Sequence, residues 1–336
     1  MCIGRDRRDG KLCWSARRDL SLATAAASAT LAAMSTTPTA PAAAAPRATS
    51  SVMVAALAAV YVIWGSTYLA MRIAIETLPP MGMGAVRFVL AGAILLVVHR
   101  LRGGAAPTAR QWLRAVPVGA LLCVGGNGLV AIAETEVSSG IAALVCATMP
   151  LWMAALATLT GERPSGREWL GIGVGLAGVA VLVGGAELSA TPTAALILCG
   201  SPLAWAMGSV LARRLPLAPG LAGAGSQMLV GGLCLFVAAA LHGEQVPAHA
   251  SARSLGALLY LLVLGSLVGF TAYAWLLQHA RPAVATSYAF VNPVLAVILG
   301  VALAGEPLTR PTVIAAPLVI VAVLLVVGGR RAPAKG

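Results

Sequence analysis

The chain has 336 residues, of which 59% are apolar and only 10% are charged, and its net charge is +12. An average soluble domain has about 25% charged residues, so this chain has too few charges to cover a water-facing surface of its size. Because a lipid bilayer accepts apolar surface as the outside of a protein, the composition predicts an integral membrane protein. The basic residues lie between apolar runs and at the two ends, without interleaved aromatic residues, which argues against a nucleic-acid partner.

The sequence lacks the motifs of hydrolysis, metal binding and nucleotide binding. HExxH, GxSxG and Walker patterns do not occur, and none of the six cysteines forms a CxxC pair. Histidine, aspartate and glutamate are absent from the middle of the apolar runs, so an intramembrane enzyme would lack its catalytic groups. We therefore predict no enzymatic activity, no metal site and no cofactor.

Residues 1–51 differ in composition from the rest of the chain. They are rich in Ala, Ser, Thr and Pro, carry several basic residues and contain no apolar run long enough to cross a membrane. We predict a disordered, basic cytoplasmic tail. Two alternatives stay open: a weak twin-arginine signal at Arg17 and Arg18, and a true start at Met34 or Met53.

From Val52 onward, the chain alternates apolar runs with short polar joints. The runs have about 20 residues, the length that crosses a bilayer as a helix. They predict ten transmembrane helices, near residues 52–75, 80–99, 112–134, 138–160, 167–185, 193–213, 219–241, 253–278, 283–303 and 311–329. The fold class predicted is an all-α polytopic membrane protein, because the joints are too short to hold a soluble domain.

The basic residues indicate which side of the membrane each joint faces. Most of the 23 Lys and Arg lie in the N-terminal tail, in the even-numbered joints or after the last helix, whereas Arg72, Arg253 and Arg310 lie at odd-numbered joints. Because basic joints stay on the cytoplasmic side, we predict a multi-pass protein of the inner (plasma) membrane with both termini in the cytoplasm. The even number of predicted helices also requires that both termini lie on the same side of the membrane.

The two halves of the chain repeat each other. The segment ending in TLTGERP corresponds to the one ending in ALAGEP, and Pro150 corresponds to Pro293. We place the first repeat at 52–185, the second at 193–329 and a cytoplasmic tail at 330–336. Because five crossings are an odd number, the second repeat enters from the opposite side, a design typical of alternating-access transporters that bind between their repeats. A passive channel or facilitator stays an alternative.

The chain closely resembles the EamA family of the drug/metabolite transporter superfamily over about residues 52–329, in the segments YVIWGSTYLAMRIAIETLPP, GAVRFVLAG, GNGLVAIAE, VSSGIAALV and ATSYAFVNPVLAVILG. The resemblance implies ten helices in two inverted repeats and export of small metabolites or drugs across the inner membrane. The implied partners are the lipid bilayer, a small-molecule substrate and protons as counter-ion.

Arg87 and Glu134 are the candidates for a charge that acts within the membrane. Arg87 lies inside the second predicted helix, at a depth where an arginine must face protein or water. Two interpretations stay open: Arg87 pairs with Glu76 or Glu134 and holds helices together, or it contacts substrate or protons. Glu134, with Glu136 as second choice, is the candidate proton carrier, because no carboxylate lies deeper in a helix.

Pro150 and Pro293 interrupt corresponding apolar runs in the two halves. Because a proline frees backbone carbonyls, the pair predicts broken helices around a site, with a packing kink as the alternative.

Polar and aromatic side chains in the middle of the predicted helices are candidates for a substrate cavity. They are Trp64, Ser66, Tyr68, Asn127, Trp152, Trp205, Ser209, Tyr273, Tyr288 and Asn292. The two asparagines could instead bond to neighbouring helices.

Overall fold

The computed structural model describes residues 50–158, 165–183, 192–305, 308 and 310–327. All regular secondary structure in these ranges is helical, which confirms the predicted all-α class. In chain order the helices are α1 (Ser50–Ala74), α2 (Pro80–Leu101), α3 (Ala109–Ala133), α4 (Ser139–Cys146), α5 (Met149–Thr158), α6 (Gly166–Val183), α7 (Pro192–Arg214), α8 (Gly220–Leu241), α9 (Ala252–His279), α10 (Pro282–Ala285), α11 (Tyr288–Ala304) and α12 (Arg310–Val327).

Some predicted features lie outside the described residues. These are the N-terminal tail up to residue 49, the C-terminal tail, and Gly161, Glu162 and Glu306 of the repeated sequences TLTGERP and ALAGEP.

Six of the described helices, α1 to α3 and α7 to α9, are long and apolar enough to cross a membrane. Each of them overlaps a predicted span. The remaining helices occupy the fourth, fifth, ninth and tenth predicted spans, where α4 and α5 share one span and α10 and α11 share another. The prediction of a helical protein with several membrane-spanning segments is therefore confirmed.

The starts of α3 and α9 follow from side chains that cap them. Thr108 Oγ1 accepts a hydrogen bond from the backbone N–H of Gln111 (3.3 Å), and the Gln111 side chain accepts from the N–H of Thr108 (2.8 Å). Ser251 Oγ accepts from the N–H of Ser254 (3.0 Å) at the start of α9. Both caps satisfy backbone donors that have no partner inside the helix.

The start of α2 depends instead on a distant residue. Glu244, in the joint between α8 and α9, accepts hydrogen bonds from the backbone N–H groups of Met81 (2.9 Å) and Gly82 (2.8 Å). A carboxylate at this place also suits the positive end of the helix dipole. The contact fixes the α8–α9 joint against the beginning of α2.

The fourth and ninth predicted spans are broken, but the breaks lie before the prolines. Residues 147–148 separate α4 from α5, and Pro150 is then the second residue of α5, where its missing N–H costs nothing. Residues 286–287 separate α10 from α11, and Pro293 lies inside α11. The interruption predicted at the proline itself is therefore displaced toward the N-terminus in both helices.

The described part of the chain contains two π-helical segments that the sequence did not predict. Ala120–Gly128 lies within α3 and Leu261–Phe270 within α9, at corresponding places in the two halves. A π turn leaves backbone carbonyls poorly paired and is frequent at functional sites. In α3, the side-chain nitrogen of Asn127 donates to the carbonyl of Leu122 (3.2 Å).

The helices of the two halves pack in corresponding pairs. α1 packs on α9 and α11, as α7 packs on α3 and α5, while α2 packs along α8 and α6 along α12. The α2–α8 pair crosses at glycines: a Cβ added to Gly92 would lie 2.7 Å from the carbonyl oxygen of Gly225 and 2.8 Å from Cα of Leu229. Such backbone contact is possible only with small residues.

Candidate substrate cavity

A cavity of about 650 Å³, including its opening, lies between helices of both halves. Its walls come from α1 to α5, α7, α9 and α11 and consist of Trp64, Thr67, Tyr68, Met71, Arg87, Phe88, Gly126, Asn127, Val130, Cys146, Met149, Ser201, Pro202, Trp205, Gly265, Phe270, Tyr288, Ala289 and Asn292.

Most of the predicted cavity residues lie in these walls. The ones that line the cavity are Trp64, Tyr68, Asn127, Trp205, Tyr288 and Asn292, together with Arg87. They come from five separate helices, so the fold brings together side chains that are distant in sequence.

The other four predicted cavity residues, Ser66, Trp152, Ser209 and Tyr273, are not in the walls. Ser66 Oγ bonds to the Tyr260 hydroxyl (2.6 Å), and Ser209 Oγ bonds to the Tyr273 hydroxyl (2.7 Å). Trp152 packs against the hydrophobic core. Tyr273 is fully buried behind the cavity tryptophans. The sequence indicates how deep each residue lies in its helix, but it does not indicate whether the side chain points toward the cavity.

The aromatic walls are held by ring contacts and by indole hydrogen bonds. The rings of Trp64 and Trp205 meet edge to face with centroids 5.4 Å apart, and those of Trp64 and Tyr288 with centroids 4.9 Å apart. The indole N–H of Trp64 donates to the carbonyl of Gly265 (3.0 Å). The indole N–H of Trp205 donates to the Tyr273 hydroxyl (3.3 Å). Tyr273 therefore supports the cavity from behind.

Each cavity tryptophan packs on a glycine of the other half. A Cβ added to Gly269 would lie 2.5 Å from Nε1 of Trp64, and a Cβ added to Gly126 would overlap the ring of Trp205, with Cζ3 at 3.0 Å. Gly126 and Gly269 both lie in the π-helical segments of α3 and α9. The two contacts are reciprocal, because each joins one half to the other.

The polar residues of the walls bond mainly to the protein backbone. Ser201 Oγ donates to the carbonyl of Gly126 (2.8 Å). In the amide orientation that satisfies both ends, the Asn292 nitrogen donates to the carbonyls of Tyr288 (3.1 Å) and Tyr61 (3.2 Å). Both predicted asparagines therefore hold helix backbone while they line the cavity.

Arg87 is buried in the cavity wall and does not form the predicted ion pair. Its Nε donates to Oγ of Ser266 (2.6 Å), and Glu76 pairs instead with Arg253 (3.5 Å). Within the described ranges, no carboxylate lies at ion-pair distance from the guanidinium. The interpretation that Arg87 pairs with Glu76 or Glu134 is wrong, because its side chain points into the helix bundle toward α9.

Glu134 ends α3 and is fully buried, but it does not line the cavity. Arg72 of α1 donates to its backbone carbonyl and to that of Val137 (3.2 Å). The charge of Arg72 therefore lies at the junction of α1, α3 and the joint before α4, close to Glu134, the first choice for the proton carrier.

Sequence reasoning missed several residues of the cavity walls. They include the glycines Gly126 and Gly265, the aromatic residues Phe88 and Phe270, and Ser201. The GNG sequence around Asn127 was a signal for close backbone approach, but glycine is common in membrane helices. No group of His, Cys, Asp and Glu in the part of the chain that the structure describes could hold a metal ion.

The EamA-like transporter family matches the chain twice, over residues 49–184 and 192–328. The resemblance seen in the sequence is therefore confirmed.

Two proteins illustrate what the chain is similar to at the sequence level. The protein named "Uncharacterized inner membrane transporter YedA" of Escherichia coli K12 is 42% identical over 285 residues, which are 84% of this chain and 93% of that protein. The "Probable terminal-alkyne amino-acid exporter" of Streptantibioticus cattleyicolor is 26% identical over 285 residues, 82% of this chain and 93% of that protein.

A solved crystal structure shows the same fold. It is 21% identical in sequence and superposes with a TM-score of 0.66, covering 84% of this chain and all of the other (100%).

Proposed function

Because the chain belongs to the EamA-like transporter family, we propose that it exports a small organic compound across the membrane by alternating access. The observation that carries this proposal is the cavity that α1 to α5 of one half and α7, α9 and α11 of the other half enclose together. A site between two repeats is where an alternating-access transporter binds its substrate. The named relatives are an inner-membrane transporter and a probable exporter, which supports the same activity.

The proposal includes ten membrane crossings and cytoplasmic termini. α4 with α5, α6, α10 with α11, and α12 supply the crossings beyond the six long helices. In this topology the joint after α2 is cytoplasmic and the joint after α8 is external, since the former is the more basic.

Cysteine labelling tests this topology at two exposed positions. On a cysteine-free background, we expect an impermeant thiol reagent added outside cells to label Gln245→Cys and not Ala106→Cys. Both side chains are exposed in the structure, so a difference reports the side of the membrane rather than burial. Permeabilised cells should show labelling at both positions. External labelling of Ala106→Cys in intact cells would contradict the assigned orientation.

The transport activity itself is tested by metabolite comparison and reconstitution. We expect cells that overexpress the chain to accumulate a small organic compound in the medium, compared with cells lacking it. The purified chain in proteoliposomes should then move that compound. Saturable flux of the compound against its own gradient, driven by an imposed proton gradient, supports the transporter. Flux that only dissipates the gradient of the compound supports the alternative of a passive facilitator.

Proton coupling is tested at Glu134. If an inward proton gradient drives the flux, the carrier must bind and release a proton during the cycle, and Glu134 is the buried carboxylate proposed for this role. We expect Glu134→Gln to remove the dependence on the proton gradient while substrate counterflow persists, because exchange needs no net proton movement. Unchanged coupling in Glu134→Gln would exclude this residue.

A further inference from the structure

The guanidinium of Arg87 is a buried cation whose charge the described protein leaves without a counter-charge. The residue is only 3% exposed. One of its five N–H donors bonds to the neutral hydroxyl of Ser266 (2.6 Å). No carboxylate in the described ranges reaches it. A lone charge removed from water is strongly unfavourable unless an opposite charge or water meets it.

The surroundings of Arg87 hold the guanidinium at the cavity wall. Ser266 fixes the Nε side, and a Cβ added to Gly265 would lie 2.9 Å from Nη2, so glycine at this position leaves the room that the group occupies. The carbonyl of Gly265 is itself held by the indole N–H of Trp64 (3.0 Å). The Phe88 ring lies 4.7 Å from Cζ of Arg87. Both Arg87 and Gly265 line the cavity.

Among the described residues of the cavity walls, Arg87 is the one charged side chain, and it comes from the first half. The position that corresponds to Arg87 in the second half is Gln227, which is buried and does not line the cavity. The described cavity walls contain no Lys, Asp or Glu. A single arginine matches one negative charge, whereas a phosphate dianion would remain half neutralised.

The rest of the walls suits an apolar or flat body. Trp64, Trp205, Tyr288, Phe88 and Phe270 surround the cavity together with Met71 and Met149. Aromatic rings arranged edge to face present both faces and edges to a bound ring.

We infer that the cavity takes an organic monocarboxylate with an apolar or aromatic body, and that Arg87 is the residue that binds its carboxylate. The inference rests on the proposed transport function and names the class of its substrate. The carboxylate supplies the counter-charge missing beside Arg87, and the four N–H groups on Nη1 and Nη2 offer it a bidentate pair of hydrogen bonds. The aromatic walls hold the body.

Binding to the full-length chain in detergent tests the inference with matched ligands. Phenylacetate and phenylacetamide have the same ring and nearly the same shape but differ in charge, and acetate lacks the ring. Titration calorimetry would give Kd for each ligand with the wild type, Arg87→Gln, Arg87→Lys and the control Arg253→Gln. Arg253→Gln also removes one positive charge, but Arg253 forms an exposed ion pair with Glu76 and lies outside the cavity.

We expect the wild type to bind phenylacetate about 10- to 100-fold more tightly than phenylacetamide or acetate, as for a hydrogen-bonded charge in a desolvated site. Arg87→Gln should remove the preference for the acid, Arg87→Lys should restore part of it, and Arg253→Gln should match the wild type. The thermal midpoint of each variant shows that it is folded. Equal affinities of the wild type for acid and amide, or an unchanged preference in folded Arg87→Gln, would overturn the inference.

Failure of this inference and failure of the proposed function give different results. If the wild type does not distinguish the acid from the amide but moves another compound in proteoliposomes, transport stands and the carboxylate class is wrong. If the wild type binds the acid through Arg87 but moves no compound, the site stands and transport is wrong.

Discussion

We expect Gly92→Leu to prevent the chain from folding stably in the membrane. Gly92 lies where α2 crosses α8, and its missing side chain lets the two backbones touch: an added Cβ would lie 2.7 Å from the carbonyl oxygen of Gly225. The same added Cβ would lie 2.8 Å from Cα of Leu229. Backbone atoms of a helix cannot move away as the end of a side chain can, so the helices must separate along their length.

The smaller change Gly92→Ala gives a measurable form of the same effect. We expect it to lower the free energy of unfolding by about 2–3 kcal/mol, the upper part of the usual range for overpacking, and to lower the thermal midpoint in detergent. Gly256→Ala is the matched control, because Gly256 is exposed on α9 and an added Cβ there meets no atom within 4 Å. Equal midpoints for the two variants would contradict the close crossing.

We expect Gly126→Ala to reduce transport by roughly tenfold with little loss of expression. An added methyl group at Gly126 overlaps the ring of Trp205, which lines the cavity. The Trp205 ring must turn away from the methyl group, and this movement changes the cavity wall that faces the substrate. Coupling energies between contacting residues reach 0.5–3 kcal/mol, and about 1.4 kcal/mol corresponds to a tenfold change.

A double variant and a neighbouring control distinguish a displaced ring from general damage. Gly126→Ala combined with Trp205→Phe should recover part of the flux, because the smaller ring leaves room for the methyl group. Gly200→Ala, whose added Cβ lies at an ordinary 3.5 Å from Leu129, should transport like the wild type. If the double variant is no better than Gly126→Ala alone, the contact with Trp205 is not the cause.

The corresponding change in the other half should act in the same way. Gly269→Ala pushes against Trp64 as Gly126→Ala pushes against Trp205. Similar losses in both variants would agree with a cavity built from reciprocal contacts between the halves.

The sequence predicted the class of protein, the helices and the family because these depend on local composition. A run of about 20 apolar residues is stable in a bilayer whatever its neighbours are. The spans around α1 to α3 and α7 to α9 were therefore placed within a few residues. The family resemblance required only residues that stand in order along the chain.

The breaks in the fourth and ninth spans show where local reasoning loses precision. Pro150 and Pro293 marked the correct helices, but the interruptions lie at 147–148 and 286–287. There the hydroxyls of Thr148 and Ser287 donate to the carbonyls of Val145 (2.8 Å) and Val284 (2.7 Å). Proline restricts the residues before it, while the place where the helix is interrupted depends on which nearby groups can donate hydrogen bonds to its unpaired carbonyls.

The cavity could be predicted only in part, because lining depends on the rotation of each helix against its neighbours. Trp64 and Ser66 are two residues apart on α1, yet Trp64 lines the cavity and Ser66 bonds to Tyr260 of α9. Residues at this spacing point in different directions on a helix. The sequence therefore gave both the same depth and could not separate them.

The partner of Arg87 was decided by tertiary structure alone. Sequence placed Arg87 and Glu76 near the same level of neighbouring helices, and a buried cation favours the nearest carboxylate. In the fold, Arg253 at the start of α9 forms the ion pair with Glu76. Further along the same helix, Ser266 accepts a hydrogen bond from Arg87, and Gly265 leaves space for its guanidinium. The sequence by itself thus determined that a charge lies within the membrane; packing of α9 between α1 and α2 determined that this charge faces a cavity instead of an acidic partner.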